Sequence, residues 1–357
     1  MEFRPPTGWS VPIITGWNKC ISVKATIDGL FVRLGEEGRT LYDQSGYGRP
    51  EGSGLRLTPD EACYLLHRGR IEIEGYDFDT FIAQFARKPE FFRRFLVYRD
   101  LRDRGYAVQT GPHDFRVFRR GQRPGTGRSQ YMVRVLSERD LIDFEDLVRE
   151  SGTSTHMRKQ HVLAVVDDEN ELTYYEVKVQ DLPGTGNLND TPCLEGTLVG
   201  RFAVVHVPPS RKDPVSSYGM NLDPDRMVLS PVEIIHLIES GTLTLFDGGE
   251  QVSRDRFFTM VSAQDGEVAE KAAVYHDLRN RGYVPKTGYK FGHHFRVYSG
   301  QKIHSEMLVH AIAGGIRLSM SSISRSVRLA HSVKKKMLFA YQGTTGIQYV
   351  EFGRIKL

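Results

Sequence analysis

Along this chain, short runs of alternating apolar and polar residues give way to longer charged stretches with helical spacing, and that whole order occurs twice. Ile71–Glu74 and Leu243–Phe246 alternate with period two, as a half-buried strand does. Just upstream, Leu57-Thr58-Pro59-Asp60-Glu61 matches Leu229-Ser230-Pro231-Val232-Glu233. In both, a hydroxyl N-cap precedes a proline at the first helical position, so each predicts a helix start; each helix runs into a glycine, Gly69 or Gly241. Downstream, Tyr98–Gly111 (YRDLRDRGYAVQTG) is matched by Tyr275–Gly288 (YHDLRNRGYVPKTG), and Phe115–Phe118 by Phe295–Tyr298. Upstream again, Tyr47-Gly48 matches Tyr218-Gly219. The period, roughly 170–180 residues, is far longer than a solenoid unit. A whole structural unit is duplicated.

Each copy reads as two modules. The first holds strands such as Leu30–Leu34 or Phe202–Val207, a loop, the proline-started helix and a strand. The second opens with a charged helical stretch, Phe81–Arg104 or Arg254–Arg281. It continues through a glycine-turned strand, another strand (Tyr131–Leu136; Glu306–Ile312) and a helix. Two strands close it: Val162–Val166 with Leu172–Val179, then Met337–Tyr341 with Ile347–Phe352. Interleaved strands and helices predict a mixed α/β (α+β) fold. Asp181–Pro192 (DLPGTGNLNDTP) has linker composition. The expected modules are 1–74, 75–183, 184–251 and 252–357.

Composition narrows the class. A hydrophobic fraction of 39% with 26% charge excludes a disordered chain. No apolar run approaches the roughly 20 residues that span a membrane, and the opening Met-Glu-Phe-Arg-Pro-Pro lacks the regions of a signal peptide. Cys20, Cys63 and Cys193 are scattered and form no CxxC, which fits a reduced cytoplasm and no zinc or disulfide framework. The net charge of +4, from 48 basic and 44 acidic residues, is too small to specify nucleic acid. Its distribution says more. Arg325, Arg328, Lys334, Lys335 and Lys336 crowd one stretch, while Asp167, Asp168, Glu169 and Glu171 form an acidic cluster elsewhere.

Where the copies differ, chemistry is expected. Tyr298 of the second copy aligns with Phe118 of the first, and His304 with Arg128; Lys335 has a counterpart in Lys159. A phenol, an imidazole and an ammonium suit RNA cleavage without metal. Histidine titrates near neutrality and serves as the general acid for the leaving 5′-oxygen. Lysine supplies a fixed cation for the phosphorane. Tyrosine, with an ordinary pKa of about 10, either acts as a base with help from nearby cations or orients the 2′-hydroxyl.

The blocks Lys286–Tyr298 (KTGYKFGHHFRVY), His304-Ser305-Glu306 and Arg328–Lys336 (RLAHSVKKK) closely resemble the catalytic repeat of archaeal tRNA-splicing endonucleases. With the duplication, the resemblance covers nearly the whole chain and matches the homodimeric form, in which each chain fuses a silent copy to an active one. It implies a restriction-endonuclease-like catalytic module and cleavage of precursor tRNA at both splice sites of a bulge–helix–bulge. It also implies 2′,3′-cyclic phosphate and 5′-hydroxyl ends, and no cofactor. Carried over, the catalytic residues fall on Tyr298, His304 and Lys335, with Lys334 and Lys336 adjacent to the last. Two arginines that clamp a flipped bulge base by stacking fall on Arg328 and Arg354. The acidic loop at Asp167, Asp168 and Glu169, which the second copy replaces with GTTG (343–346), is implied to dock on the partner chain.

Two other readings of the residues stand beside this. Asp167 or Asp168 with Glu176-Val177-Lys178 imitates the Asp…Glu-x-Lys pattern of Mg²⁺-dependent nucleases, in which Asp168, Glu176 and Lys178 would hold metal and assist attack. A non-catalytic RNA-binding subunit is the third. Among the remaining histidines, His304 and His310 are expected on one strand face, without the companions a zinc site needs. His293 and His294 are expected on opposite faces of a strand, unable to serve one site. His331 reads as structural.

Overall fold

In the computed structural model, residues 22–85, 88–184, 193–207, 217–300, 302–344 and 346–357 are described. The opening hexapeptide, Cys20 and most of the linker, 185–192, lie outside them. Two compact units emerge, Met1–Ser129 and Gln130–Leu357.

A shared local device starts both copies. Thr58 and Ser230 cap helices Pro59–His67 and Pro231–Glu239, and each helix closes a capping box three residues in. The buried carboxylate of Glu61 accepts from Thr58 N (2.9 Å) and from Gly48 N (2.9 Å). Glu233 accepts from Ser230 N (2.9 Å) and Gly219 N (2.8 Å) in the same way. One side chain therefore satisfies a helix terminus and ties it to the Tyr-Gly loop. An arginine then stacks on that loop's tyrosine: Arg102 lies 3.7 Å from the Tyr47 ring and Arg279 3.9 Å from the Tyr218 ring. The duplication read from the sequence is physical, down to these contacts.

In the first unit, β1 (Val23–Asp28), β2 (Phe31–Leu34), β3 (Arg49–Glu51), β4 (Gly54–Leu57) and β5 (Ile71–Ile73) form a sheet in the order β3-β4-β2-β1-β5. Only the β1–β5 pairing is parallel. Around it lie α1 (Arg39–Ser45), α2 (Pro59–His67), α3 (Phe78–Phe85) and α4 (Pro89–Asp103), followed by the hairpin β6 (Val108–Thr110) and β7 (Phe115–Phe118). The single helical stretch expected from Phe81 to Arg104 is thus two helices, because Pro89 cannot continue α3 and instead occupies the first turn of α4.

The second unit carries β8 (Ser129–Ser137), β9 (Leu141–Asp143), α5 (Phe144–His156), β10 (Gln160–Val166) and β11 (Leu172–Gln180). A sheet like that of the first unit follows, built from β12 (Leu194–Val199), β13 (Phe202–His206), β14 (Met220–Asn221), β15 (Arg226–Leu229), β16 (Leu243–Asp247) and β17 (Glu250–Val252) around α6 (Pro231–Glu239). Next come α7 (Arg254–Ser262) and α8 (Val268–Asn280), again two helices where one was expected. Here Asp265 accepts from Glu267 N (3.1 Å) in the break between them. The chain ends with β18 (Tyr283–Thr287), β19 (Phe295–Ser299), β20 (Met307–Ile312), β21 (Arg317–Ser319), α9 (Met320–Ser332), β22 (Lys336–Gly343) and β23 (Gly346–Ile355).

The central sheet of this unit runs β18-β19-β20-β22-β23-β11-β10-β8. Its midline is the antiparallel β11–β23 pair, from Tyr174↔Ile355 to Gln180↔Tyr349. On either side the pattern is the same: an antiparallel neighbour (β10 or β22), then a parallel strand (β8 or β20). The small β9–β21 pair repeats that two-fold relation. Ile142, Phe144 and Leu147 from one side and Met320, Ile323 and Val327 from the other share one core with Phe339 and Phe352. Truncating Phe339 there costs roughly 3–5 kcal/mol by lost burial and the cavity left. Strands and helices of residues 130–180 and 307–355 thus share one core across this seam, and the candidate site lies at one end of its sheet.

Candidate active site

The geometry begins where α9 stops. Lys334 takes a left-handed conformation (φ 55°), and Lys335 N donates back to Ala330 O (2.8 Å), a helix-ending turn that redirects the chain into β22. The same turn closes α5, with Arg158 at φ 55° and Lys159 N donating to Ser154 O (2.8 Å). In the second copy the turned lysine has a target: Lys335 Nζ donates to Ser305 O at 2.6 Å. Lys336 N donates to Glu306 O (3.0 Å) and Glu306 N to Val297 O (3.0 Å). Those bonds bring the ends of β19, β20 and β22 side by side. Tyr298 follows Val297, His304 precedes Ser305, and Lys335 Nζ reaches the Ser305 carbonyl, so the three residues lie at adjoining strand ends.

Exposure and partners fit a site waiting for a ligand. Tyr298 is half-buried, with Arg296 5.9 Å from its ring; His304 is exposed in the loop before β20. Among the described residues, neither the Tyr298 hydroxyl nor the His304 ring has a hydrogen-bond partner. Nearby Glu306 is neutralised by Lys302 and accepts from Ser299 Oγ. Of the lysine run, Lys336 is committed to Glu351 (3.2 Å), whereas Lys335 meets only a neutral carbonyl and the face of Phe291, 6.0 Å away. Its full charge is left for an anion. A cation, an imidazole and a phenol are side-chain types that acid–base and electrostatic catalysis at a phosphoryl group can use.

The two candidate clamp arginines are both exposed, Arg328 on α9 and Arg354 on β23. Carrying the β22–β23 register two residues beyond Met337↔Phe352 sets Arg354 across from Lys335. Arg328 stands on the helix that ends in the Lys335 turn. The acidic hairpin joins β10 to β11. Asp167 Oδ1 accepts from Glu169 N (3.0 Å) and Glu171 N (2.8 Å) and so shapes it, while Asp168 pairs with Arg139 and Glu169 is exposed.

Several expectations are corrected. Asp168 and Glu176 are not brought together. Asp168 sits in the hairpin, whereas Glu176 lies on β11 past Leu172, about 13 Å further along at the rise of a strand. Glu176 is occupied by Lys178 (2.8 Å) and Gln160 (2.8 Å). Among the described residues, neither acid belongs to a group of three His, Cys or carboxylate side chains close enough to share an ion. His304 and His310 do not share a strand face, since His304 lies in the loop. His293 and His294 precede β19, and both contact His310: His294 stacks on it at 4.2 Å and His293 meets it edge-on at 5.7 Å. His331 is exposed.

That histidine group was missed in the sequence, and so was the turn that carries it. Gly288 and Phe295 enclose six residues where Gly111 and Phe115 enclose three, and the added length forms a 3-10 turn, Tyr289–Phe291. The turn is anchored by Gly288 N donating to His294 O (2.9 Å), and a side chain on Gly288 would collide with the backbone at His293 and Phe295. His294 in turn accepts from Ala311 N (3.0 Å) and faces Glu267 (3.3 Å). Burial beside His310 depresses the pKa of His293 to about 4, and the same causes, joined by Lys271, hold His294 at about 4. The length difference between copies was the available signal.

A duplicated α/β body with a polar, cationic sheet end in its second copy fits a nuclease-type protein. Its sequence relationships agree. The model of the tRNA intron endonuclease catalytic C-terminal domain matches residues 91–174 and 268–349, and that of the family's N-terminal domain matches 23–82 and 194–258. The chain is 40% identical over 332 residues to a tRNA-splicing endonuclease of Methanococcoides burtonii, covering 89% of this chain and 95% of that protein. It is 38% identical over 353 residues to one of Methanosarcina barkeri (94% and 100%), and 38% over 333 residues to one of Natronomonas pharaonis (88% and 93%). The chain belongs to the tRNA intron endonuclease family.

Proposed function

We propose that this protein is an endoribonuclease that excises introns from precursor tRNA, cutting both exon–intron junctions of a bulge–helix–bulge without metal. The 2′-oxygen bonds to phosphorus as its proton leaves, with Tyr298 taking or orienting that proton. The bond from phosphorus to the 5′-oxygen breaks as the His304 imidazolium gives that oxygen its proton. Lys335 holds the charge of the phosphorane. The products carry 2′,3′-cyclic phosphate and 5′-hydroxyl ends. The observation that carries this reading is the Lys335 ammonium anchored on the carbonyl beside His304, uncommitted to any carboxylate.

Four modules follow from the same reading: 1–74, a silent nuclease-like module 75–183, 184–251, and the catalytic module 252–357. Arg328 and Arg354 hold the flipped base. Two chains assemble through the hairpin at Asp167, Asp168 and Glu169 docking on a basic surface of the partner, each supplying one active site, in the cytoplasm. No helix among the described residues is long and apolar enough to cross a membrane. Incubation with an intron-bearing precursor tRNA in excess chelator, followed by end-group analysis, tests the chemistry. Cyclic phosphate and 5′-hydroxyl ends are expected, and a 2′-deoxy substitution at the junction should abolish cutting. Activity that appears only with a divalent ion, or 5′-phosphate ends, would overturn it.

A further inference from the structure

The turn Tyr289–Phe291 presents two opposite sides. Phe291 points inward, half-buried against the shared core and facing Lys335 Nζ at 6.0 Å. Tyr289, two residues earlier, is 88% exposed, and Lys290 beside it is also exposed. An aromatic ring held that far out of the protein gains nothing from burial, and its hydroxyl has no hydrogen-bond partner among the described residues. It is not loosely held. Gly288 N to His294 O, Phe291 N to Gly288 O (2.7 Å) and Gly292 N to Tyr289 O (2.9 Å) fix the turn, and Gly292 takes the left-handed conformation (φ 65°) that closes it. The turn exists only in the copy that carries the site; the first copy passes from Gly111 to Phe115 without it.

We infer that Tyr289 is an RNA-stacking residue, receiving the face of an unpaired base next to the scissile phosphate, with Lys290 on the adjoining backbone. This rests on the endoribonuclease reading above. Stacking on an exposed, rigidly mounted aromatic tolerates any base, because every base has a flat π-face. The surroundings are cationic: Lys290 and Lys335 adjoin the turn directly, so a polyanion is favoured over an apolar or acidic partner. Phe291, on the buried side, links the ring's position to the lysine that meets the phosphate. Tyr289 thus positions the strand and takes no part in proton transfer.

The test uses the full chain and a bulge–helix–bulge RNA with 2-aminopurine at single unpaired positions and a 2′-deoxy residue at the cleavage point, in chelator. Binding of the unmodified protein should quench 2-aminopurine at one bulge position. Tyr289→Phe should keep that quenching. Tyr289→Ala should lose it, bind on the order of tenfold more weakly, and raise KM more than it lowers kcat on cleavable RNA. Thermal unfolding of both variants should match the parent, because the side chain is exposed. Quenching, affinity and KM all unchanged in Tyr289→Ala would overturn the assignment. So would a smaller assembly in sedimentation, which would make Tyr289 a contact between protein chains. If the unmodified protein fails to cut ribose-bearing RNA, the catalytic reading falls instead, while the quenching experiment still decides the role of Tyr289.

Discussion

The Lys335 ammonium rests 2.6 Å from the carbonyl oxygen of Ser305, so a residue of one strand's approach holds the loop that carries His304 on another. On the function proposed above, Lys335 has two tasks, orienting the His304 segment and presenting charge. Lys335→Ala should therefore lower single-turnover cleavage by about 10²–10³-fold, the scale of removing one preorganised transition-state contact. Lys335→Arg should recover only part of it, since the planar guanidinium cannot reproduce a point charge at that distance. The rate is measured in chelator with saturating enzyme; parity of Lys335→Ala with the parent removes the lysine from the chemistry.

His304 is the exposed member of the trio, so its loss should leave folding and RNA affinity intact. Cleavage by His304→Ala should fall by about 10²–10⁴-fold, the usual contribution of a general acid. The substitution matters most for a substrate with an ordinary 5′-alkoxide leaving group. An RNA whose leaving oxygen is replaced by sulfur needs no proton to depart, and should restore most of the lost rate. Equal defects on both substrates would assign His304 to some other role.

The acidic hairpin offers a test of assembly that separates shape from charge. Asp167 organises the turn through Glu169 N and Glu171 N, whereas Glu169 projects its own side chain outward. Glu169→Lys together with Asp168→Lys should therefore yield monomers in sedimentation velocity with the hairpin backbone preserved. Weakening by added salt should follow the same direction, because exposed charge pairs are screened. A dimer of unchanged affinity would remove this hairpin from the interface.

The fold was legible because its signals are local: hydroxyl-proline helix starts, glycine stops and alternating strands, each written twice. The β11–β23 seam was not, because long strands of similar composition do not name their partners; pairing is decided by the shared core around Phe339 and Phe352. The candidate site was read from positions where the second copy carries a polar group that the first lacks, as Tyr298 replaces Phe118. That logic has a limit. Lys286 also replaces a neutral residue, Gln109, yet its ammonium is buried on Glu233 (3.3 Å) and Gly219 O (3.1 Å), the position from which Gln109 reaches Gly48 O (3.2 Å) in the first copy. That difference ties the Tyr218-Gly219 loop to the strand that follows α8. The Ser305 carbonyl could not be foreseen at all, because every residue has one.

Glu233 should be among the costliest single positions outside the core. Its carboxylate accepts from two backbone N–H groups and the Ser230 hydroxyl (2.7 Å) and faces Lys286. Glu233→Ala leaves those donors without partners and the buried Lys286 ammonium without its counter-charge, held only by Gly219 O, a loss on the order of 3–5 kcal/mol. Urea unfolding would register it as a large drop in midpoint; a change below about 1 kcal/mol would mean the loop finds other acceptors.

Acid should destabilise the protein over a defined window. Burial holds His293 and His294 at about 4 and His236 at about 3, against an ordinary value near 6.5. Above about pH 6.5 these rings are neutral in both folded and unfolded chains and pH has no leverage on them. Below it the unfolded chain takes up protons that the folded rings refuse, so stability falls as pH drops from about 6.5 towards 4. A depression like that of His293 is worth about 3 kcal/mol for one ring. His310 contributes in the same direction, since burial also lowers it, with Glu267 opposing. Urea midpoints measured every half unit between pH 7.5 and 4.5 should trace this slope, and His293→Leu, which cannot take up a proton, should flatten it. The exposed acids act oppositely in sign of charge and are common to both proteins, so the difference between the two curves isolates the ring. A parallel pair of curves would show that His293 is protonated as readily in the folded protein as in the unfolded chain.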